Sequence, residues 1–207
     1  ETDHEGKVTE RLDPPVQDGD HTLGPDDAPV TVVQYGDYEC PTSRGIYESI
    51  QQVREVLTAA REESTEAPFR YVFRHLPLRQ RHPHAVHAGV AAEAAARQGA
   101  FWDMHEQLFA HQDQLEDEDL RTYAAAVGLD ADQFEEDLHD DALHDRVMAD
   151  RSSAVDSGVR RTSNLFIGGE RYRGDFEPDA LLRAIRRRAA VGRTSDLQKE
   201  EVRTVDT

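Results

Sequence analysis

The sequence predicts an α/β fold: a mixed sheet, built from a βαβ half and a ββα half, interrupted by an all-helical insertion. Three observations predict it. Two short runs rich in β-branched and aromatic residues, VTVVQY at 30–35 and FRYVFR at 69–74, flank a stretch with helical apolar spacing. From 85 to 155 the apolar residues recur only at helical periods. A strand, a Gly168-Gly169 turn and a second short strand then precede a last helical pattern starting at Pro178.

Each element has its local reason. VTVVQY reads as a buried strand, and residues 36–39 as a turn. Cys40-Pro41 opens a helix, because proline suits the first helical position. Ile46, Ile50, Val53 and Leu57 form one apolar stripe, broken at 64–68. FRYVFR is the next strand, and strand–helix–strand implies a parallel, right-handed unit. The insertion opens with an Ala-rich helix at 85–97. A helix at 101–111 follows, burying Phe101, Met104, Leu108 and Trp102. A third covers 118–127, ended by Gly128, and 132–155 holds one long helix or two short ones. Residues 164–167 and 170–173 pair across Gly168-Gly169, and the final helix turns Leu181, Leu182 and Ile185 inward. The expected segments are a flexible linker at 1–27, the βαβ half at 28–83, the insertion at 84–157, the ββα half at 158–190 and a disordered tail at 191–207.

Composition excludes several functions. The 207 residues carry 42 acidic and 24 basic side chains, a formal charge of −18. Nucleic-acid partners need a basic footprint, and anionic membrane surfaces would repel this chain. No apolar run approaches the roughly 20 residues of a membrane helix. Cys40 is the only cysteine, so no intrachain disulfide forms and a disulfide-stapled scaffold is excluded. Lys7 and Lys199 are the only lysines. An acid-rich, Lys-poor surface of halophilic type is expected to gain stability from salt. The first residues contain neither a start Met nor a signal-type apolar stretch, which fits a processed protein or an excised piece of a longer one.

Four motifs, in order, carry a resemblance: GDYECPTS at 36–43, VFRHLPL at 72–78 with HPHA at 82–85, QGAFWDMHEQLFAHQ at 98–112, and GVRRTSNLFIGGERYRG at 158–174. Together they resemble the DsbA-like branch of the thioredoxin superfamily over about 24–190. DPPV at 13–16 and GPDDAPVTVVQYGDYECP at 24–41 narrow the likeness. These resemble the thioredoxin-like domain fused to the C-terminus of some NhaA-type sodium/proton antiporters. The resemblance implies a thioredoxin-like fold with a helical insertion, thiol–disulfide oxidoreductase chemistry, and protein or low-molecular-weight thiol and disulfide partners. An antiporter domain implies a membrane partner in the same full-length chain and the cytoplasmic face of the inner membrane. A free-standing relative implies a periplasmic or exported protein.

Two departures from the family pattern bear on the chemistry. Cys40 matches the attacking cysteine, with Pro41 and Thr42 completing the motif, but Ser43 stands where the resolving cysteine would be. In the loop matching the family's cis-proline turn, Thr162-Ser163 replaces the usual Thr-Pro. A cis bond before a non-proline costs about 2.5–4 kcal/mol, so a trans bond is expected there. Exchange proceeds by thiolate attack through a mixed disulfide. A helix N-terminus favours the Cys40 thiolate, and Ser43 is expected to hydrogen-bond it, but a hydroxyl carries no electrons. The reading is a monothiol site, with glutathione as co-substrate and no resident cofactor. The alternative is a redox-inactive regulatory or interaction domain of an antiporter. Arg44, Arg160 and Arg161 are candidate anion or glutathione contacts, converging on Cys40 in such a fold. Asp37 and Glu39 flank the thiol and oppose the helix dipole. His82, His84 and His87, with His75, His105 and His111 elsewhere, lack a completing carboxylate or second cysteine. They read as helix-start packing and surface, with no metal expected.

Overall fold

The computed structural model describes residues 10–59, 69–162 and 164–205. A five-stranded mixed sheet contains β1 (His21–Leu23), β2 (Thr31–Gly36), β3 (Arg70–His75), β4 (Asn164–Ile167) and β5 (Glu170–Tyr172), in the spatial order β1-β3-β2-β4-β5. The helix α1 (Pro41–Ala59) crosses from β2 to β3, and these two strands pair in parallel from Thr31↔Arg70 to Gly36↔His75. The other pairings are antiparallel. At the β4–β5 hairpin Gly168 and Gly169 take φ of +59° and +77°, the left-handed pair that a two-residue turn requires.

Between β3 and β4 lie five helices: α2 (Ala85–Arg97), α3 (Phe101–Ala110), α4 (Asp117–Ala126), α5 (Ala131–Leu138) and α6 (Asp141–Asp156). The 132–155 pattern is thus two helices, divided where Asp140 turns extended and its side chain accepts the Ala142 amide. α2 is the hub, packing against α3, α5 and α6. Its alanines explain this: Ala88, Ala91, Ala92, Ala94 and Ala95 are buried, and short side chains let neighbouring helices approach closely. The main core gathers the α1 stripe, the inner face of β3 and the insertion. A smaller cluster around Val33, Tyr35, Val72 and Phe166 fills the other sheet face.

Two sequence expectations are corrected. The segment before residue 28, expected to be a linker, is packed from Glu10 onward where it is described. His21–Leu23 adds an edge strand to β3, and Leu12 donates its amide to Gly169 O at 3.0 Å. Arg74, buried at the end of β3, requires this. Its guanidinium donates to both Asp20 carboxylate oxygens at 2.8 Å, to Pro14 O at 3.0 Å, to Pro15 O at 2.9 Å and to Tyr35 Oη at 2.9 Å. A buried guanidinium left without such acceptors would be prohibitively costly. At the other end, the helix expected to stop near 190 continues as α7 (Pro178–Val205), since nothing in 191–205 breaks a helix as proline would.

Candidate active site around Cys40

Cys40 ends the loop after β2, at the step where α1 begins; its carbonyl accepts the Arg44 amide at 3.2 Å. Cys40 is buried, with 6% of the residue exposed. Its Sγ lies 3.0 Å from Thr162 Oγ1, on the loop between α6 and β4. The structure therefore brings Cys40 and Thr162 together across the fold. Ser163, with the expected trans bond before it, lies outside the described residues.

The loop carrying Cys40 is held from several directions. The Asp37 carboxylate accepts the amides of Glu39 and Leu78 and faces His82 Nδ1, all at 2.8 Å. Glu39 accepts the His84 amide at 2.8 Å. The acidic residues beside the thiol thus anchor the backbone of the 76–84 loop. Gln112, at the end of α3, donates to Tyr38 O at 2.5 Å and Cys40 O at 3.0 Å. Tyr38 Oη meets His105 Nδ1 at 2.8 Å. The insertion is therefore a clamp on the thiol loop, a role the sequence did not reveal.

Two expected contacts fall elsewhere. The Ser43 hydroxyl, fully buried, accepts the Asp37 amide at 3.1 Å, so among the described residues its partner is the preceding loop rather than the Cys40 sulfur. Helix geometry turns it inward, beneath the first turn. Arg44 faces away from the thiol, pairing with Glu48 one turn later at 2.7 Å. Pro41 and Thr42 are exposed at the start of α1.

Arg160 and Arg161 do lie beside Thr162. With Arg79, Arg81 and Arg151 they line an open cavity of about 850 Å³ whose wall includes Thr162 and, among the described residues, no carboxylate. Sequence reasoning missed the last three. The signal for Arg79 and Arg81 was the LRQR run at 78–81, directly after the second motif strand; Arg151, in α6, had no such signal.

A family model described as Thioredoxin matches residues 17–187. The chain belongs to the thioredoxin family. Solved relatives give the same fold for this thioredoxin-family chain. BdbD from Bacillus subtilis aligns with a TM-score of 0.73 at 21% identity, covering 88% of this chain and 98% of that one. Alpha-DsbA1 from Wolbachia pipientis aligns at 0.71 and 18%, covering 87% and 96%. The thioredoxin-like fold is thus of the DsbA type. In sequence the chain is 44% identical to an Na(+)/H(+) antiporter NhaA of Salinispora tropica over 168 residues, 81% of this chain and 24% of that protein. It is 38% identical to an NhaA antiporter of Mycolicibacterium gilvum over 192 residues, 86% of this chain and 30% of that protein. The thioredoxin-family chain thus spans 24–30% of the length of these relatives. No described helix is long and apolar enough to cross a membrane.

One set of metal-type ligands in this thioredoxin-family chain was not anticipated. The ligand atoms of His21, His75 and Glu93 lie within 4.8 Å of one another. Both imidazole Nε2 atoms meet the same Glu93 oxygen, at 2.9 and 3.0 Å, and Arg146 Nε stands 4.0 Å from it. Burial alone would raise the Glu93 carboxyl. The hydrogen bonds and charges of the two histidines outweigh it and hold the carboxyl far below its ordinary value. With a guanidinium already beside the carboxylate, the trio serves as a tether of β1 to β3 and α2. His82 and His87 meet Asp37 and Asp117 instead, at 2.8 and 2.9 Å.

Proposed function

We propose that this domain performs thiol–disulfide exchange as a monothiol, through Cys40. The observation that carries the reading is the placement of the chain's only cysteine. It sits at the N-terminal step of α1, with Thr162 Oγ1 at 3.0 Å, in a fold shared with BdbD and alpha-DsbA1. The amide-rich helix start supports a thiolate. Thr162 positions the sulfur and shapes the groove that a partner enters. Resolution comes from an external thiol such as glutathione, because Ser43 cannot supply electrons. The partners are protein or low-molecular-weight disulfides, and no resident cofactor is required.

The test is incubation with oxidised glutathione followed by mass spectrometry, with Cys40→Ala as control. A single glutathione adduct on Cys40, released by reduced glutathione, is expected. Absence of an adduct on the folded wild type overturns the reading.

A second reading is favoured by the NhaA relatives and by the loss of the second thiol. Here the domain is a redox-inactive regulatory or interaction module of a sodium/proton antiporter, contacting the membrane part of the same full-length chain. That reading places it at the cytoplasmic face of the inner membrane. A free-standing exchange protein would be periplasmic or exported. Under the antiporter reading Cys40→Ala leaves antiport unchanged, and no adduct forms.

A further inference from the structure

We propose that the cavity walled by Arg79, Arg81, Arg151, Arg160 and Arg161 binds the acidic groups of a small thiol or disulfide carrying two or more carboxylates or phosphates. The ligand's sulfur is thereby delivered past Thr162 to Cys40. This inference rests on exchange at Cys40 and names the substrate class of that site.

The charge pattern is the first argument. Across a chain of net charge −18, eight described arginines outside this cavity pair with carboxylates, while others, such as Arg183 and Arg187, stand singly on the surface. Arg97 pairs with Asp137 and Asp140, Arg121 with Glu135, Arg146 with Asp150, Arg173 with Glu10 and Arg188 with Glu170. Among the described residues the five cavity arginines form no ion pair, and no acid lines their cavity. Five like charges repel one another, and in so acidic a chain paired arginines are the easier arrangement. An anionic ligand removes that repulsion, and guanidinium forks match carboxylate and phosphate oxygens two at a time.

Placement is the second argument. The five come from three separate segments: the loop after β3, helix α6, and the α6–β4 loop. They meet only because the fold closes there. That closure also sets Thr162 in the cavity wall with its hydroxyl on the Cys40 sulfur. Size is the third. About 850 Å³ suits a small molecule, whereas an acidic macromolecule would meet the field of the whole −18 chain.

The chemistry balances without another component. The Cys40 thiolate attacks one sulfur of the bound disulfide. A new S–S bond forms as the old one breaks, and the departing thiolate carries away the electron pair and takes a proton from water. A second molecule of the small thiol, as thiolate, attacks the outer sulfur of the adduct. It returns Cys40 as thiolate and leaves as the symmetric disulfide, so the small thiol supplies both electrons.

The experiment compares adduct formation on Cys40 with two disulfides, oxidised glutathione (anionic) and hydroxyethyl disulfide (neutral). The proteins are wild type, Arg81→Glu/Arg151→Glu, and Arg183→Glu/Arg187→Glu, whose arginines line a different cavity. The cavity variant is expected to slow reaction with glutathione disulfide about tenfold or more while leaving the neutral disulfide within about twofold. The α7 variant changes neither. Equal effects on both disulfides, or on both variants, overturn the inference while leaving exchange at Cys40 intact. Calorimetry of S-methylglutathione on Cys40→Ala reads the cavity without the reaction. Binding that disappears in Arg81→Glu/Arg151→Glu supports the inference even where no adduct forms, and no binding overturns it.

Discussion

At the residue scale, the molecule is decided by a few buried polar groups with long-range partners. His105 is fully buried among Tyr47, Phe73 and Phe109, with one ring nitrogen on Tyr38 Oη and Nε2 without a hydrogen-bond partner among the described residues. Burial, then the nearby His75 and His21, pushes its pKa well below the ordinary value, so it stays neutral when folded. The unfolded chain protonates it below about pH 6.5. The unfolded state therefore binds the extra proton, and stability falls as pH drops through that range, by up to about 1.4 kcal/mol per pH unit. His105→Phe is expected to flatten the fall between about pH 6.5 and 5 in thermal melts. Near neutrality it lowers stability by about 1–3 kcal/mol, because Tyr38 Oη loses its partner. An unchanged pH profile would refute this. Asp20 is the second decisive residue. Asp20→Ala leaves the buried Arg74 guanidinium without its carboxylate and is expected to cost about 3–5 kcal/mol in urea unfolding. A loss below about 1 kcal/mol would mean that Arg74 is rehydrated instead. Burial of the Asp20 carboxyl works to raise its pKa, but the Arg74 bonds dominate and lower it. That stabilisation is present above about pH 4 and lost as pH falls below it.

At the element scale, the helical insertion is what holds the thiol loop. Gln112 reaches back from the end of α3 to two loop carbonyls, and Trp102 Nε1 donates to Thr22 O at 3.0 Å, tying the same helix to β1. Gln112→Ala is expected to cost about 1–2 kcal/mol. It should also raise the rate at which iodoacetamide alkylates Cys40 in the folded protein by several-fold, because an exposure of only 6% depends on that loop's position. Equal alkylation rates would show that Asp37 alone positions the loop. The elements with strong local signals were legible in the sequence: β2, α1, β3, α2 and the Gly168-Gly169 hairpin rest on apolar period, Pro41 and paired glycines. β1 was not. HTL at 21–23 has no strand signal of its own. It is a strand because β3 offers it a ladder, Arg74 holds Asp20 and Phe101 stacks on His21 at 3.5 Å.

At the scale of the whole molecule, net charge sets the conditions for folding. Eighteen excess negative charges repel one another in dilute buffer, and near 1 M salt the screening length falls to about 3 Å. The exposed pairs, such as Arg44–Glu48 and Arg121–Glu135, weaken with salt but contribute little each. Repulsion therefore dominates, and the unfolding midpoint should rise between about 0.1 and 1 M KCl. A midpoint that falls would show that the paired arginines outweigh the excess charge. The sequence by itself determined the sheet-and-insertion order, the single thiol at a helix start, the missing second thiol and the acidity. Each of these is a local pattern or a count. Only the tertiary structure decided that Arg79, Arg81 and Arg151 join Arg160 and Arg161, that Arg44 and Ser43 turn away from Cys40, and that the first strand begins at His21. Side chains far apart in sequence meet only when the chain closes on itself, and no local period or propensity records where a guanidinium will find its acceptor.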